Sequence, residues 1–429
     1  MQSNLDAPQT IQKLITIVGK QHVLTDDKDT RLYRQGRRYG AGKVLAVVAP
    51  GSLLEQWQVL QAAVDADCIV IMQAANTGLT GGSTPFGDDY DRPVVLISTR
   101  RLVGIQVIND GQQVICLPGA TLDRLEKELV SFNREPHSVI GSSCIGASVL
   151  GGVCNNSGGA LVRRGPAYTE LALYARVNDE GQLELVNHLG VNLGETPEEI
   201  LSKLETKNYQ IGDIINNSGC CASDHRYGHD VKQVDENTPA RFNADPSRLY
   251  EASGSAGKVC VFAVRLDTFE KIPSQVFYVG TNSHDDLTEI RRFLLKDLPR
   301  LPIAGEYIHR VAYDIGAEYG KDTFMFIEKL GTAKVPAAFA MKDKVDAYLE
   351  KFGVKGLSDK VLQLITKFLP NHLPKRMNVF RDLYEHHLVI RIENQDVEQV
   401  ESFLKCYFQD KTSGDFFHCT EEEGRKAFL

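Results

Sequence analysis

The stretch MQAANTGLTGGSTP, residues 72–85, indicates most strongly how this chain folds and what it binds. It follows an apolar run, CIVI at residues 68–71, which is typical of a buried strand. The stretch has three glycines and no charged residue, so a ligand can approach its backbone closely. Successive main-chain N–H groups in such a loop bind anions without help from a lysine. We therefore expect residues 74–83 to hold a phosphate-bearing ligand.

Two common nucleotide-binding signatures are absent from this loop. No Gly-Lys-Ser/Thr sequence closes it, and the Gly-x-Gly-x-x-Gly pattern is missing, so neither a Walker loop nor a Rossmann fingerprint is indicated. A glycine-rich turn that binds nothing is the alternative interpretation.

A second glycine-rich stretch, SVIGSSCIGASVLGGVCNNSGGALVRRGPAYTE, covers residues 138–170. Its small residues allow a flat ring or a phosphate to lie against the backbone. The same composition also permits close packing of helices, so both interpretations stay open for different parts of it.

Strands and helices alternate through the first part of the chain. Apolar runs at residues 43–50, 68–72, 94–98 and 114–117 predict strands, and amphipathic runs at 53–67 and 120–132 predict helices. Ser52 is placed to cap the first of these helices. This alternating β-α-β order predicts α/β structure in the first part of the chain.

The pattern changes near residue 276. A strand at 276–282 precedes a helix at 285–298, and a strand at 384–392 precedes a helix at 396–408. We therefore expect an α+β second domain. The predicted division is 1–270 for the first domain, 271–330 and 382–429 for the two parts of the second, and 331–381 for a basic insertion.

Composition excludes several classes of protein. The 429 residues carry 56 acidic and 48 basic side chains, a net charge of −8, so a general nucleic-acid surface is not supported. The nine cysteines include no Cys-x-x-Cys pair and no zinc-like spacing, so no metal site is predicted. The N-terminus does not read as a signal peptide, and no apolar run is long enough to span a bilayer.

Five segments together resemble one family of bacterial enzymes. They are QAANTGLTGGSTP, REPHSVIGSSCIGASVLGGVCNNSGG, RGPAYTE, NADPSRLYEASGSAGKVCVFAVRLDTF and YEHHLVIRI. The chain is similar over nearly its whole length to the quinone-dependent D-lactate dehydrogenases, which are membrane-peripheral flavoproteins. Their FAD-binding domain is of the PCMH type that vanillyl-alcohol oxidase shares. The resemblance therefore implies an α+β fold, with a PCMH-type FAD-binding domain of two α/β subdomains and an α+β cap domain that has a basic membrane-binding insertion.

The resemblance also implies which residues bind FAD. They are Ala74, Ala75, Asn76, Thr77, Gly78, Gly82 and Ser83 in the first loop, and Gly141, Ser148, Gly158 and Val261 beyond it. Relatives that bond FAD covalently often have a His or Cys in the first loop. Residues 72–85 contain neither, so we expect non-covalent FAD.

Oxidation of a 2-hydroxy acid needs a cation for the carboxylate and a base for the hydroxyl proton. His386 and His387 lie in a predicted strand, where alternation sends their rings to opposite faces, so at most one is expected to face the flavin. His309 and Arg310 are further candidates, with Arg310 as the carboxylate holder. The alternatives are structural histidines and an ordinary salt bridge. His137 precedes the second glycine stretch and is a weaker candidate.

Residues 341–381 hold nine Lys/Arg against four Asp/Glu in an otherwise acidic chain. Within them, LSDKVLQLITKFL at 357–369 has helical apolar spacing with lysines on the other side. A basic amphipathic helix binds anionic lipid, although it also suits a helix packed on its own domain. The resemblance favours a lipid surface at the cytoplasmic face of the inner membrane, where the family reduces quinone.

The predicted activity is oxidation of D-lactate to pyruvate, with electrons passed to a membrane quinone. Another 2-hydroxy acid such as glycolate or 2-hydroxyglutarate is the nearest alternative, since selectivity depends on pocket shape. Members of the family normally continue beyond GDFFHCTEEEGRKAFL, so a non-catalytic FAD-binding protein is a further alternative. A flavin reductase using a nicotinamide donor is not supported, because no Rossmann pattern is present.

Overall fold

The computed structural model describes residues 7–36, 38–137, 146–216, 219–237, 245–321, 324–325, 328 and 372–428. Three sheets of four, five and four strands organise the chain. The helices are α1 (Ala7–Val18), α2 (Asp27–Arg34), α3 (Leu53–Asp65), α4 (Leu122–Leu129), α5 (Val149–Cys154), α6 (Pro197–Thr206), α7 (Tyr227–Asp230), α8 (His284–Arg292), α9 (Arg310–Tyr319), α10 (Lys375–Leu383), α11 (Val397–Phe408) and α12 (Glu421–Ala427). The strands are β1 (Val23–Leu24), β2 (Ala46–Val48), β3 (Ile69–Gln73), β4 (Val94–Ser98), β5 (Ile105–Ile108), β6 (Gln113–Cys116), β7 (Arg134–Glu135), β8 (Ala172–Val177), β9 (Leu183–Asn187), β10 (Cys260–Asp267), β11 (Phe269–Glu270), β12 (Ser274–Thr281), β13 (Ala304–His309), β14 (His386–Glu393) and β15 (Gly414–His418).

The first sheet has the order β1-β2-β4-β3, and its three longer strands are parallel. Helix α3 connects β2 to β3 and begins where Ser52 accepts a hydrogen bond from the Glu55 N–H, as the sequence predicts. The glycine loop leaves the carboxyl end of β3. Crevices at the carboxyl ends of parallel strands are where open α/β sheets bind ligands.

The second sheet has the order β5-β6-β10-β8-β9 and is antiparallel throughout. One face shares a core with the first sheet through Phe262 and Leu173, and the other packs on α4 and α5 through Val264 and Tyr174. The second subdomain is therefore an antiparallel sheet with helices, whereas the alternating sequence pattern suggested a β-α-β unit. The difference arises because β10, far away in sequence, lies between β6 and β8.

The third sheet, the cap sheet, has the order β13-β14-β12-β15 and is antiparallel. Alternate side chains of β12 and β14 divide between its two faces. One face packs on α8 and α11 through Phe277 and Ile390, and the other includes Tyr278 and Val389 with Tyr313 of α9 and Met377 of α10. The predicted helix at 285–298 is an α-helix to Arg292 and a π-helical turn from Phe293 to Asp297.

The cap sheet is joined to the first domain by main-chain hydrogen bonds. Val162 N–H donates to Ile303 C=O at 3.1 Å, and Gly305 N–H donates to Ala160 C=O at 2.9 Å. Arg163 and Glu393 add an ion pair across the same junction. We call this contact the domain junction. The predicted division at residue 270 falls between β11 and β12, and the predicted helix at 357–369 lies outside the described residues.

Candidate functional site

A cavity of about 530 Å³ lies where the two glycine-rich stretches meet, between the end of β3 and α5. Its lining includes Ala74, Ala75, Asn76, Thr77, Gly78, Gly82, Ser83, Ser148 and Val261. The cavity volume is that of a small-molecule site. None of the described residues that line it is charged, so an anion there would be bound by dipoles and N–H groups. A more open groove of about 870 Å³ beside the ion pair of Lys13 and Asp65 has no such loops.

Three side chains fix the first glycine loop in shape. Arg100 donates to the carbonyls of Ala74 and Ala75 at 3.1 and 3.2 Å. Asn76, in a left-handed conformation at φ 55°, donates to the Gln35 carbonyl and accepts from Ser83 Oγ at 3.0 Å. Gln73 donates to the Ser83 carbonyl at 2.7 Å. These bonds occupy carbonyl groups of the loop.

The N–H groups of the same loop are not used in this way. In the described part of the chain, no N–H from Ala75 to Ser83 donates a hydrogen bond to another protein group. A Cβ added at Gly78 or Gly82 would meet nothing within 4 Å, so both glycines border open space. A loop with engaged carbonyls and unengaged N–H groups beside a charge-free cavity fits the diphosphate of FAD.

The second wall of the cavity comes from α5 and the bulge of β10. Ser148 caps α5 by accepting from Gly151 N–H at 3.1 Å. The ladder of β10 shifts register between Val261 and Ala263, and Val261 lines the cavity. Gly158 is outside the lining and its Cβ position meets Pro166, while Gly141 lies outside the described residues. The FAD contacts proposed for these residues stay predictions.

The four candidate catalytic residues form one group at the outer end of β13 and β14. The ring centroids of His386 and His284 are 4.1 Å apart with the rings tilted, and His386 Nδ1 lies 2.9 Å from Tyr307 Oη. His309 Nε2 lies 3.1 Å from Glu385, and Arg310 begins α9 beside them. None of the four lines the flavin cavity, and they lie at the opposite end of β14 from the domain junction.

His386 and His387 occupy opposite faces of the cap sheet, as strand alternation predicts. His387 is fully buried between Tyr278 and Tyr313, with ring centroids 5.6 and 5.9 Å away. Burial, and then the positive charges of His386 and Arg310, lower the pKa of His387 to about 4, so the imidazole is neutral at pH 7. Its ring makes a hydrogen bond with the Tyr384 main chain, which acts to raise its pKa.

A group of arginines at the domain junction was missed by sequence reasoning. Arg163 pairs with Glu393, and Arg164 pairs with Glu135 and donates to the Pro136 carbonyl. Arg391 lies two residues before Glu393 on the same face of β14. Alternation from His387 through Val389 would have indicated Arg391, since all three side chains share that face.

His137, metal binding and membrane crossing are the remaining sequence predictions that bear on the site. His137 is buried and its ring lies 5.7 Å from that of Phe269, just before residues that the structure leaves undescribed. Within the described ranges, no three or more His, Cys, Asp or Glu side chains are grouped so as to hold a metal ion. No helix in those ranges has both the length and the hydropathy needed to cross a bilayer.

Comparison with known proteins places these features in one class. Residues 44–183 match the family described as FAD binding domain, and residues 276–429 match D-lactate dehydrogenase, membrane binding. The fold resembles p-cresol methylhydroxylase, with a TM-score of 0.57 over 98% of this chain and 68% of that one at 11% identity. It also resembles alkyldihydroxyacetonephosphate synthase, with a TM-score of 0.54 over 98% of this chain and 62% of that one at 12% identity. The fold and the glycine-lined cavity thus define a PCMH-type flavoprotein.

Two curated relatives are more specific. The chain is 55% identical over 429 residues to the quinone-dependent D-lactate dehydrogenase of Haemophilus influenzae, covering 99% of this chain and 76% of the relative. It is 56% identical over 422 residues to that of Escherichia coli, covering 98% and 74%. The chain belongs to the quinone-dependent D-lactate dehydrogenase family. The fold class and the FAD-binding domain predicted from the sequence are confirmed.

Proposed function

We propose that this chain is an FAD-dependent dehydrogenase that oxidises D-lactate to pyruvate and passes the electrons to a membrane quinone. The observation that carries the proposal is the cavity between the two glycine stretches, where the described residues supply no charged lining group and no hydrogen-bond partner for the loop N–H groups. The family of the chain supports the choice of substrate and acceptor.

The chemistry needs a base close to the substrate hydroxyl. When bound, FAD supplies the acceptor for the hydride that leaves the substrate carbon. We propose His387 as the base among the four candidates, because its imidazole is neutral and a neutral imidazole has one nitrogen that can accept a proton. The hydroxyl proton passes to that nitrogen as the C–H hydride leaves, and pyruvate remains. His386, His309 and Arg310 are proposed to surround it.

The test is an absorbance spectrum of the purified protein under anaerobic conditions. We expect a yellow protein whose flavin absorbance bleaches on addition of D-lactate and returns when a soluble quinone is added. If glycolate or 2-hydroxyglutarate bleaches the flavin and D-lactate does not, the protein is still a 2-hydroxy-acid dehydrogenase but its substrate is not D-lactate. A yellow protein that no 2-hydroxy acid bleaches would contradict the dehydrogenase activity.

Peripheral association with a membrane follows from the family, and we propose that the surface is anionic lipid at the cytoplasmic face of the inner membrane. Helix α9 exposes Val311, Ile315 and Tyr319 along one stripe. Helix α10 exposes Val379 and Leu383 one turn apart. Exposed apolar stripes on adjacent helices suit insertion at a bilayer interface.

The two helices are held side by side by polar contacts. Tyr313 Oη donates to Asn378 Oδ1 at 3.1 Å, and Arg381 pairs with Asp314 at 2.5 Å. Helix α9 precedes the proposed 331–381 insertion and α10 begins within its last residues, whereas most of the insertion lies outside the described residues. Charge from that segment and apolar area from α9 and α10 would act together on lipid.

Vesicle flotation tests the lipid proposal. Vesicles containing phosphatidylglycerol should bind the wild type more tightly than phosphatidylcholine vesicles, and less tightly at high salt. The double variant Ile315→Asp, Val379→Asp should bind both kinds of vesicle more weakly than wild type does. The control is Ile211→Asp, since Ile211 is 85% exposed in the FAD-binding domain. Equal binding to both lipids would contradict the anionic preference, and unchanged binding of the double variant would contradict the stripe.

A further inference from the structure

Arg391 is the one arginine of four at the domain junction that has no carboxylate partner in the described part of the chain. Arg163 is bound by Glu393, Arg164 by Glu135 and Arg300 by Asp396. The Arg391 guanidinium lies over the ring of Phe428, whose centroid is 4.4 Å away. Stacking on a ring leaves the N–H groups at the edge of the guanidinium available to an anion.

The surroundings of Arg391 are electropositive and partly dry. Burial lowers the pKa of Arg391, and the opposing influence is the more distant carboxylate of Glu135. Arg163, whose partner Glu393 is two residues further along the same strand face, has a buried Nη2 without a hydrogen-bond partner in the described chain. A buried N–H donor that is left unpaired carries a desolvation penalty that a bound anion would remove.

The position of Arg391 connects both parts of the proposed site. Towards the first domain, Glu135 and Pro136 lie just before the second glycine stretch, and the 160–162 segment that bonds to the cap lies within that stretch. Along β14, Arg391 shares its face with His387, about 13 Å away at 3.3 Å per residue. A long arginine side chain and a small hydroxy acid together can bridge that span.

We propose that Arg391, assisted by Arg163 Nη2, binds the carboxylate of the 2-hydroxy acid. The proposal rests on the proposed function for the identity of the ligand, and it replaces Arg310 in that role. Arg310 lies at the other end of the strand, where the carboxylates of Asp314 and Glu385 are within its electrostatic reach. A guanidinium next to two carboxylates is less suited to recruiting a third.

The experiment compares four variants of the flavin-loaded protein. They are Arg391→Met, Arg391→Lys, Arg310→Met and the control Arg176→Met, whose strand arginine pairs with Glu184 on the surface. The first measurement is steady-state oxidation of D-lactate. The second is the dissociation constant of oxalate, a carboxylate that is not oxidised, from its perturbation of the flavin absorbance.

Arg391→Met should raise both the KM for D-lactate and the Kd of oxalate about 10- to 100-fold, the range for one charge-assisted hydrogen-bonded pair. The kcat and the flavin content should change much less, because the carboxylate is held equally before and during the reaction. Arg391→Lys should lose less affinity for D-lactate and oxalate than Arg391→Met, since it keeps a positive charge and loses only the bidentate geometry of the guanidinium. Arg176→Met should stay within about twofold of wild type in both measurements, and Arg310→Met should leave the Kd of oxalate within that range whatever its effect on kcat.

The two measurements keep the two proposals apart. If the wild type binds oxalate but oxidises no hydroxy acid, the proposed function fails and the oxalate constants still decide the role of Arg391. Unchanged oxalate affinity in Arg391→Met would overturn the proposed role of Arg391 in binding the carboxylate. A loss of oxalate affinity confined to Arg310→Met would also overturn it, and so would a wild-type protein that binds no oxalate. If Arg391→Met loses its flavin, the Arg391→Lys variant decides. A KM for D-lactate equal to that of wild type in Arg391→Lys would then overturn the proposed role of Arg391.

Discussion

At the scale of single residues, the backbone of the first glycine loop determines what the loop can bind. Gly81 has φ 74°, and a Cβ there would lie 2.6 Å from the Tyr39 carbonyl oxygen. Gly78 has ordinary φ and open space around its Cβ position. The two glycines thus have different reasons for lacking a side chain. Gly81 is needed for the conformation of the loop, and Gly78 leaves room for the ligand.

Alanine substitutions separate these two roles. Gly81→Ala should lower the stability of the flavin-free protein by about 1–3 kcal/mol, because strain is added to a steric clash. Gly78→Ala should leave that stability unchanged and still weaken flavin binding, since its methyl group enters the cavity. Thermal unfolding of the flavin-free protein and fluorescence titration with FAD provide the two measurements.

Gly181→Ala is the matched control, because Gly181 has φ 78° in a turn remote from the cavity and no atom within 4 Å of its Cβ position. It should lose some stability and no flavin affinity. A Gly81→Ala protein as stable as wild type would show that the clash is relieved by a shift of Tyr39.

Residue chemistry was predictable where it depends on local spacing and not where it depends on pairing between strands. Glycine and hydroxyl content identified the loop from Ala74 to Ser83, because those properties are local. The importance of Arg391 was not visible, because it depends on which neighbouring arginines find carboxylates across the domain junction. The roles of His386, His387, His309 and Arg310 stay predictions.

At the scale of elements, Asp286 fastens α8 to the far end of the cap sheet. Its carboxylate accepts hydrogen bonds from Thr281, Tyr407, Lys411 and Ser413 at 2.6–2.9 Å. Burial of Asp286 acts to raise its pKa, but these four bonds outweigh it and hold the pKa at about 2. One side chain therefore connects β12, α8, α11 and the turn before β15.

Asp286→Asn should destabilise the cap domain by about 2 kcal/mol at pH 7, because hydrogen bonds to the charged group are lost. The folded-state pKa lies below the unfolded value of about 3.9, so this stability is present above pH 4 and is lost as pH falls towards 2. Urea unfolding followed at several pH values measures both effects. The difference between wild type and variant should shrink as the pH approaches 2.

Asp285→Asn is the control, because Asp285 is the exposed neighbour in the same first turn of α8. It should cost less than about 1 kcal/mol, the limit of its interaction with the helix dipole. An equal loss in both variants would contradict the fastening role of Asp286.

Elements with a clear period were predicted well, and those with exposed apolar residues were not. The strand at 94–98 and the helices at 53–65 and 397–408 match the sequence pattern closely. Helix α9 was missed, although Val311, Ile315 and Tyr319 recur at helical spacing in the sequence. The structure shows that these three side chains are exposed.

At the scale of the whole molecule, Glu393 couples the cap to the FAD-binding domain. It is 4% exposed and is bound by Arg163 from the other domain and by Arg300 at 3.4 Å. Main-chain hydrogen bonds from the 160–162 segment to β13 and its preceding loop accompany the pair. The two domains should therefore unfold together.

Glu393→Gln should weaken this coupling by about 2–3 kcal/mol, because Arg163 is left partly buried without its carboxylate. In calorimetry we expect one transition for wild type, shifted upwards as a whole by added FAD. The variant should show two transitions, of which only the one belonging to the FAD-binding domain responds to FAD.

Glu184→Gln is the control for this comparison, because its exposed pair with Arg176 should contribute under about 1 kcal/mol. A single FAD-responsive transition in Glu393→Gln would show that the main-chain bonds alone couple the domains.

The placement of β10 at the centre of the second sheet has a consequence for synthesis of the protein. The strand pairs β5-β6 and β8-β9 remain separate until β10 joins them, and Val261 of β10 completes the cavity wall. A nascent chain on the ribosome can therefore take up its cofactor only once residue 267 has emerged, and such late, long-range closure is slow. Cells short of riboflavin should accumulate chains that stall at this step and are degraded.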